Sequence, residues 1–186
     1  MHDLEETIKS RCAGKTIIET GTCDGRTVEF VLKHGAKAVR SVEGSKMRYD
    51  NCVSKFSDDD RVQLWNGFSS DLLWEMIEDI DEPVVFFLDA HPSGPGSYGH
   101  DESESGNKRF GQGNVLNQEI EIIARHHIKT HTVIIDNQHN HDGGLKVIEI
   151  FKKRFLEINP NYHFSIDKKM PNTPKTTACC LVAEIL

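Results

Sequence analysis

The chain has 186 residues, of which 37% are hydrophobic and 27% charged, and its formal net charge is -7 at pH 7. This length and composition predict a single soluble globular domain over residues 1–186, since one compact domain usually takes roughly 100–200 residues. The acidic balance disfavours nucleic acid and anionic membranes as partners, because phosphates are held mainly by Lys and Arg. The apolar run at residues 84–88, like every other in the sequence, is far shorter than the ~20 residues of a membrane-spanning helix.

The N-terminus and the cysteines both favour a cytoplasmic protein. The first residues are acidic and lack the basic-then-apolar order of a signal peptide. The number of cysteines is odd and no C-x-x-C pair occurs, which disfavours a disulfide framework or a zinc knuckle. We therefore expect reduced thiols, as is typical of the cytosol. The cysteines are Cys12, Cys23, Cys52, Cys179 and Cys180.

Helix-like and strand-like segments alternate along the chain, which is the pattern of a parallel α/β sheet. The predicted helices cover residues 3–12, 26–34, 46–56 with Ser45 as N-cap, a segment up to residue 77 with Ser69 or Ser70 as N-cap, 114–127 and 145–158. The predicted strands cover residues 16–20, 37–43, 61–65, 84–89, 132–136, 162–167 and 177–185. The link between the last two strands contains two prolines and no helix, so these strands are expected to pair antiparallel. The expected architecture is a seven-stranded, mostly parallel sheet with helices on both faces.

The first predicted strand runs into a glycine loop at residues 19–25, with the sequence Glu-Thr-Gly-Thr-Cys-Asp-Gly. Such a loop between a strand and a helix lets the backbone approach a ligand at the carboxyl edge of the sheet. Only Gly21 and Gly25 are present, whereas dinucleotide sites usually show G-x-G-x-x-G. The carboxylate of Glu19 would also repel a pyrophosphate and attract an ammonium or sulfonium group. These features disfavour a nicotinamide-dependent oxidoreductase.

Polar residues also follow the second and third predicted strands. Glu43 ends the second strand, close to the ~20-residue offset at which nucleotide-binding folds carry the acid that binds ribose. The turn after the third strand, residues 66–71, carries polar groups that could border an adenine. The three strand ends are therefore expected to converge on one nucleoside.

The three strand ends together resemble the cofactor motifs of class I S-adenosylmethionine-dependent methyltransferases. The matching residues are Glu19-x-Gly21-x-x-x-Gly25, Glu43 and Gly67-Phe68-Ser69. The resemblance covers nearly the whole chain and implies a Rossmann-like fold that binds S-adenosyl-L-methionine. It implies that the first motif lies near the methionine part, Glu43 on the ribose hydroxyls and the third motif near adenine. The residues expected to bind the cofactor are Glu19, Thr20, Gly21, Thr22, Gly25, Glu43, Gly44, Gly67, Phe68, Ser69 and Asp89.

The ends of the fourth and fifth predicted strands carry a group of oxygen ligands, Asp89, Asp136 and Asn137. If these strands are neighbours, the three side chains meet at one edge and form the hard, oxygen-only set that Mg²⁺ favours. Their spacing resembles that of catechol-type, metal-dependent O-methyltransferases and of sugar O-methyltransferases. The resemblance implies that these residues hold Mg²⁺ or Mn²⁺. Such an ion would favour the deprotonated acceptor hydroxyl and hold its oxygen in line.

The chain departs from the catechol-type pattern at the general base. Enzymes of that type have a lysine three residues after the first metal-binding Asp, where this chain has Pro92. His91 is the expected substitute, since a neutral imidazole can accept a proton near pH 7, so Asp89 and His91 are the expected catalytic residues. His139 and His141 are alternatives for the base, and a histidine that ligated the metal would favour Mn²⁺, Fe²⁺ or Zn²⁺.

The irregular segment 90–113 is the expected lid or acceptor loop, because such long loops in a compact domain are usually functional or disordered. It is rich in hydrogen-bonding groups and contains only two aromatic residues, Tyr98 and Phe110. This composition favours a small polar acceptor, above all a sugar or glycan hydroxyl, over a flat aromatic one. Residues 89–92, Asp-Ala-His-Pro, lack the N/D-P-P-Y pattern of amino-methylating enzymes, which favours oxygen methylation.

Several alternatives stay open at this point. The chain could be a catechol-type small-molecule O-methyltransferase, or a non-catalytic domain that binds S-adenosylmethionine. A nicotinamide-dependent Rossmann oxidoreductase is less favoured, since the dinucleotide motif is absent. A second subunit of a homo-oligomer could complete the acceptor site.

Overall fold

The computed structural model describes residues 4–90, 112–139, 144–168 and 178–186. The helices are α1 (Leu4–Cys12), α2 (Arg26–Lys33), α3 (Lys46–Lys55), α4 (Ser69–Ile77), α5 (Gln112–Arg125) and α6 (Gly144–Ile158). The strands are β1 (Thr16–Thr20), β2 (Ala38–Glu43), β3 (Val62–Asn66), β4 (Val85–Leu88), β5 (Thr132–His139), β6 (His163–Lys168) and β7 (Ala178–Glu184). None of the helices within these ranges combines the length and the apolar character needed to cross a bilayer.

The seven strands form one sheet in the order β3-β2-β1-β4-β5-β7-β6. The first five strands pair in parallel, and β7 is antiparallel to both β5 and β6. This confirms the predicted mostly parallel sheet with an antiparallel C-terminal pair. From β1 the chain passes to β2 and β3 on one side of β1, and it then returns to β4 on the other side. In open α/β sheets, ligands bind at such a reversal, beyond the carboxyl ends of the strands.

Helices cover both faces of the sheet, as the apolar sequence of β4 predicts. All four residues of this strand are buried, which is typical of a parallel strand packed on both faces. Phe86 packs in a core with residues of α4, α5 and α6, whereas Phe87 packs in a second core with residues of α1 and α2. The two cores leave the carboxyl edge of the sheet to be shaped by the loops.

Most predicted boundaries agree with the structure within two residues, but β5 continues to His139 instead of ending at Asp136. The extension exists because β7 pairs with the far end of β5, through Gln138 and Cys179. The predicted Ser69 or Ser70 cap of α4 is wrong, since Phe68 occupies the N-cap position. Residues 91–111 of the predicted acceptor loop lie outside the described residues, whereas residues 112 and 113 belong to α5.

Candidate active site

The glycine loop is fixed between the ends of β2 and β4. Gly21 has a φ of 94°, and a Cβ at this position would lie 2.8 Å from the carbonyl oxygen of Asp89. Only glycine therefore fits this conformation and this approach. The backbone N–H groups of Gly21 and Thr22 donate to the carbonyl oxygen of Val42, at 2.9 and 3.2 Å. The N–H of Asp89 donates to the carbonyl oxygen of Thr20 at 3.0 Å.

Glu43 connects the ends of β1, β2 and β3. One carboxylate oxygen accepts the backbone N–H of Cys23, and the other accepts the N–H of Ser45, each at 2.7 Å. The carbonyl oxygen of Glu43 accepts the N–H of Gly67 at 3.0 Å and the side-chain amide of Asn66 at 2.8 Å. Each carboxylate oxygen has further lone pairs. The structure thus holds the predicted ribose-binding acid in a fixed orientation at the sheet reversal.

Glu19 lies deeper in the same edge and is only 1% exposed. Its carboxyl accepts a hydrogen bond from the Ser41 hydroxyl at 2.6 Å, and Ser41 lies 2.6 Å from the hydroxyl of Thr22. The pKa of Glu19 is raised to about 8, mainly by burial; hydrogen bonds from Ser41 and Thr27 act against this rise, and the charges of Asp89 and Glu43 contribute to it. At neutral pH most of the Glu19 carboxyl therefore holds a proton. The sequence predicts a charged carboxylate at Glu19, whereas the structure favours a carboxyl group that is mostly neutral at pH 7.

The turn after β3 contributes residues of two different kinds. Phe68 is half-buried at the N-cap of α4, with an extended backbone. Ser69 is buried in the first turn of α4, and its hydroxyl faces the carboxyl of Glu119. Gly25 and Gly44 lie in the loops that follow β1 and β2. The three predicted cofactor segments therefore meet at one edge of the sheet.

Glu119 of α5 is a site residue that the sequence analysis missed. It is 2% exposed, and its Oε1 atom has no hydrogen-bond partner within the part of the chain that the structure describes. Its pKa is raised to about 7, mainly by burial; hydrogen bonds from the hydroxyls of Ser69 and Thr20 act against this rise, and the charge of Asp89 contributes to it. Buried polar atoms without partners are rare in folded proteins. This carboxyl is therefore a distinctive feature of the same edge.

A sequence signal for Glu119 exists, although it is weak. Val115, Glu119 and Ile122 are spaced four and three residues apart, so they share one face of a helix. A carboxylate within an apolar helical stripe is the feature that could have indicated a buried acid. Its position beside Ser69 and Thr20 depends on how α5 packs against α4, which the sequence does not show.

Asp89 and Asp136 follow directly on paired residues of neighbouring strands. Leu88 of β4 pairs with Ile135 of β5, which confirms the condition on which the predicted metal site depends. Asp136 is buried, and the pairing of β5 with β7 shifts register between Ile135 and Gln138. A bulge at this point is typical of strand ends next to active sites, because it redirects side chains.

The described residues supply only part of the predicted metal site. Asn137 lies in β5, but its side chain and that of His139 are outside the described residues, as are His91 and His141. Within the described ranges, no group of three or more His, Cys, Asp or Glu side chains could hold a metal ion. The carboxylates of Asp89 and Asp136 are chemically suited to a hard cation such as Mg²⁺, and the remaining ligands would have to come from elsewhere.

Solved structures with the same architecture identify the fold. A proposed methyltransferase from Streptococcus mutans, in complex with SAH, superposes with a TM-score of 0.61 at 15% identity, covering 98% of this chain and 95% of that one. The O-methyltransferase TomG from Streptomyces achromogenes, in complex with SAM, has a TM-score of 0.58 at 14% identity, covering 98% of this chain and 78% of that one. An rRNA methylase from Streptococcus thermophilus has a TM-score of 0.61 at 12% identity, covering 98% and 93% of the two chains.

The chain has the Rossmann-like methyltransferase fold. No protein-family model and no curated protein sequence matches it. The three structures carry different names, an O-methyltransferase and an rRNA methylase among them. A methyltransferase fold can serve many acceptors, so the acceptor has to be argued from the site.

Proposed function

We propose that the protein is an S-adenosylmethionine-dependent methyltransferase that methylates a hydroxyl of a small polar acceptor, such as a sugar or a glycan. The observation that carries this proposal is the fixed carboxylate of Glu43. Both of its oxygens are oriented by backbone N–H groups, at the reversal point of a sheet whose fold is shared with structures that contain SAM or SAH. A carboxylate held in this way is suited to accept hydrogen bonds from the two ribose hydroxyls.

The charge of the site supports a sulfonium cofactor over a dinucleotide. Glu19, Glu43, Asp89 and Glu119 all lie at the carboxyl edge. The negative charges of Glu43 and Asp89 would attract the ammonium and sulfonium groups of S-adenosylmethionine and repel a pyrophosphate, whereas Glu19, mostly protonated at neutral pH, adds little charge. The close approach of Gly21 to Asp89 also leaves no room for a side chain between the loop and the end of β4.

We propose that Asp89, Asp136 and Asn137 hold a divalent cation, Mg²⁺ or Mn²⁺. When bound, such an ion supplies positive charge that favours the deprotonated acceptor hydroxyl. The support from the described residues is that Asp89 and Asp136 each follow one of two paired residues on neighbouring strands, and that the bulge in β5 begins after Ile135. His91 is proposed as the base that takes the acceptor proton.

The chemistry to be performed is a single displacement. The acceptor oxygen forms a bond to the methyl carbon while the bond from that carbon to the sulfonium sulfur breaks, and the hydroxyl proton passes to the base. The protein's part is to align the two reactants and to exclude water, since correct positioning lowers the barrier of a two-reactant step. Glu43 and the glycine loop would position the donor, and the residues at the ends of β4 and β5 would position the acceptor.

An RNA acceptor is a second candidate, because an rRNA methylase shares the fold. The net charge of -7 opposes this candidate, since RNA-binding surfaces need Lys and Arg to neutralise phosphates. A small neutral acceptor does not need a surface rich in Lys and Arg. We therefore retain the hydroxyl of a small polar molecule as the proposed acceptor.

Transfer of a labelled methyl group tests the proposal. The purified protein is incubated with methyl-labelled S-adenosylmethionine and separate panels of sugars, catechols and RNA, with Mg²⁺ or with excess chelator. We expect label in a sugar hydroxyl, and we expect the chelator to abolish transfer. Transfer that persists in chelator would exclude the metal, and label in RNA alone would replace the proposed acceptor. Absence of any transfer, together with tight binding of S-adenosylhomocysteine, would identify a non-catalytic binding domain.

A further inference from the structure

Two cysteines from separate parts of the chain lie close together where the glycine loop contacts α3. Cys23 lies in the loop and is exposed, whereas Cys52 lies in α3 and is buried. The thiol of Cys52 donates to the carbonyl oxygen of Cys23, with 3.4 Å between sulfur and oxygen. Arg48 lies one turn before Cys52 on α3 and donates from Nη1 to the sulfur of Cys23 at 3.2 Å. Cys23 therefore lies on the face of α3 that carries residues 48 and 52.

The two thiols differ in their surroundings. Reactive cysteines combine exposure with a neighbouring Arg or Lys, and Cys23 has both. Burial raises the pKa of the Cys52 thiol, although the charge of Lys55 lowers it. A dissolved oxidant would therefore meet Cys23 first, and Cys52 would be the second thiol to react.

The backbone of Cys23 connects its side chain to the candidate cofactor site, so a reaction at its sulfur can affect that site. Its φ is 51°, a left-handed conformation that residues other than glycine rarely adopt. In this conformation its N–H donates to Oε2 of Glu43 at 2.7 Å. A covalent bond that moves Cys23 would weaken this hydrogen bond, and with it the orientation of Glu43.

We propose that Cys23 and Cys52 form a reversible disulfide in response to a hydroperoxide, and that this disulfide lowers the affinity of the site for its cofactor. First, the sulfur of Cys23 attacks one peroxide oxygen, so that an S–O bond forms and the O–O bond breaks. For hydrogen peroxide, the departing oxygen takes up a proton and leaves as water, and the sulfur is oxidised to a sulfenic acid. The sulfur of Cys52 then attacks that of Cys23, the S–O bond breaks, and the hydroxyl leaves as water with the proton of Cys52.

The reaction needs only a local movement. Disulfides require Cα atoms about 4.4–6.8 Å apart, and the contact of the Cys52 sulfur with the Cys23 carbonyl oxygen already brings the two residues together. The Cys23 side chain has to rotate away from Arg48 and toward Cys52. The effect on cofactor affinity rests on the proposed function, whereas the disulfide itself does not.

Peptide mapping of the full-length chain tests the disulfide. The reduced protein is treated with a small excess of hydrogen peroxide, free thiols are alkylated, and the digest is analysed by mass spectrometry. We expect a Cys23–Cys52 crosslink that dithiothreitol reverses. In C52S we expect oxidation to stop at a sulfenic acid on Cys23 that dimedone traps. C12S is the control, because Cys12 is buried at the end of α1 and its sulfur contacts the carbonyl oxygens of Lys9 and His34, and it should form the same crosslink as wild type.

Calorimetry with S-adenosylhomocysteine tests the regulatory consequence. We expect peroxide to raise the wild-type Kd at least ~10-fold, a change of ~1.4 kcal/mol, and dithiothreitol to restore it. C23S should bind equally well with and without peroxide. Absence of the crosslink in wild type, or an equal loss of affinity in C23S, would overturn the proposal. If the crosslink forms but the reduced protein does not bind S-adenosylhomocysteine, the disulfide stands and the proposed cofactor is wrong.

Discussion

Ionisable side chains are buried at both the carboxyl and the amino edge of the sheet, but their hydrogen bonding differs. At the carboxyl edge, Glu19 and Glu119 are buried acids, and Oε1 of Glu119 has no hydrogen-bond partner among the described residues. At the opposite, amino edge, His126 and His131 are each 1% exposed, and all their ring nitrogens have partners. Among the described residues, the buried acids of the first edge thus retain unused hydrogen-bonding capacity, and the histidine pair of the second does not.

The histidine pair shows what a complete network looks like. The N–H of Val84 donates to Nδ1 of His131 at 3.2 Å, so the hydrogen of His131 is on Nε2. That nitrogen lies 3.0 Å from Nδ1 of His126, and Nε2 of His126 lies 3.0 Å from the carbonyl oxygen of Ile77. Both rings are therefore satisfied as neutral Nε2–H tautomers. The pair links α4, β4 and the start of β5.

The difference indicates which edge is built for stability and which for a ligand. A satisfied buried network stabilises one structure, whereas a partly satisfied one costs free energy. Proteins usually tolerate such a cost where binding or catalysis needs it. This contrast supports the proposed ligand site at the carboxyl edge, with its acids around the glycine loop, and a structural role for the amino edge.

Removal of Asp136 is the strongest test of this division. We expect D136A to lower kcat by on the order of 10²–10³-fold, the size found when one preorganised electrostatic group is lost from an active site. Its Kd for S-adenosylhomocysteine should stay unchanged, because Asp136 is assigned to the metal and not to the nucleoside. Glu82 at the amino edge is the control, since it is exposed and pairs with Lys37, so E82A should keep full turnover. Normal turnover by D136A would place the reaction elsewhere.

The carboxyl edge should lose stability as pH rises. The pKa of Glu19 is raised to about 8 from 4.5, so the unfolded chain releases this proton at lower pH than the folded one. The stability is then fully present below about pH 4.5 and is lost as pH rises through about 8. In denaturant titrations at pH 6 and pH 9, wild type should lose on the order of 3 kcal/mol more than E19Q. Equal losses in the two proteins would show that Glu19 is charged at neutral pH.

The amino edge should respond to pH in the opposite direction. Burial lowers the pKa of His131 to about 4 from 6.5, and the charges of His126, His127 and Lys129 lower it too. The network therefore contributes fully above about pH 6.5, and its contribution is lost as pH falls toward 4. Between pH 7.5 and 4.5 we expect wild type to lose on the order of 2 kcal/mol more than H131Q. The exposed His163 gives the matched control H163Q, which should follow wild type.

The sequence predicted those features that local patterns decide. β1 agrees with its prediction at both ends, because four of its five residues are β-branched and glycines lie near both of its ends. Glu43 was identified from its distance to Gly25, and the structure does fix its carboxylate at the sheet reversal. Both depend on short stretches of chain whose geometry the residue types determine.

The missed features depend on contacts between distant segments. The extension and bulge of β5 arise from its pairing with β7, some forty residues later along the chain. The burial of Glu119 depends on the packing of α5 against α4, and the histidine pair needs the loop before β5 to fold under Val84. From a single sequence, an isolated Glu or His is predicted to be a surface residue, because the sequence does not show which residues surround it in the fold.

Calorimetric titration with S-adenosylhomocysteine tests most directly whether the carboxyl edge is a cofactor site. Wild type should bind this ligand and not NAD, and E43A should bind it ~5- to 150-fold more weakly, a loss of ~1–3 kcal/mol for a buried hydrogen-bonding group. E82A should bind as wild type does. Binding of NAD alone, or equal Kd values for wild type and E43A, would contradict the account.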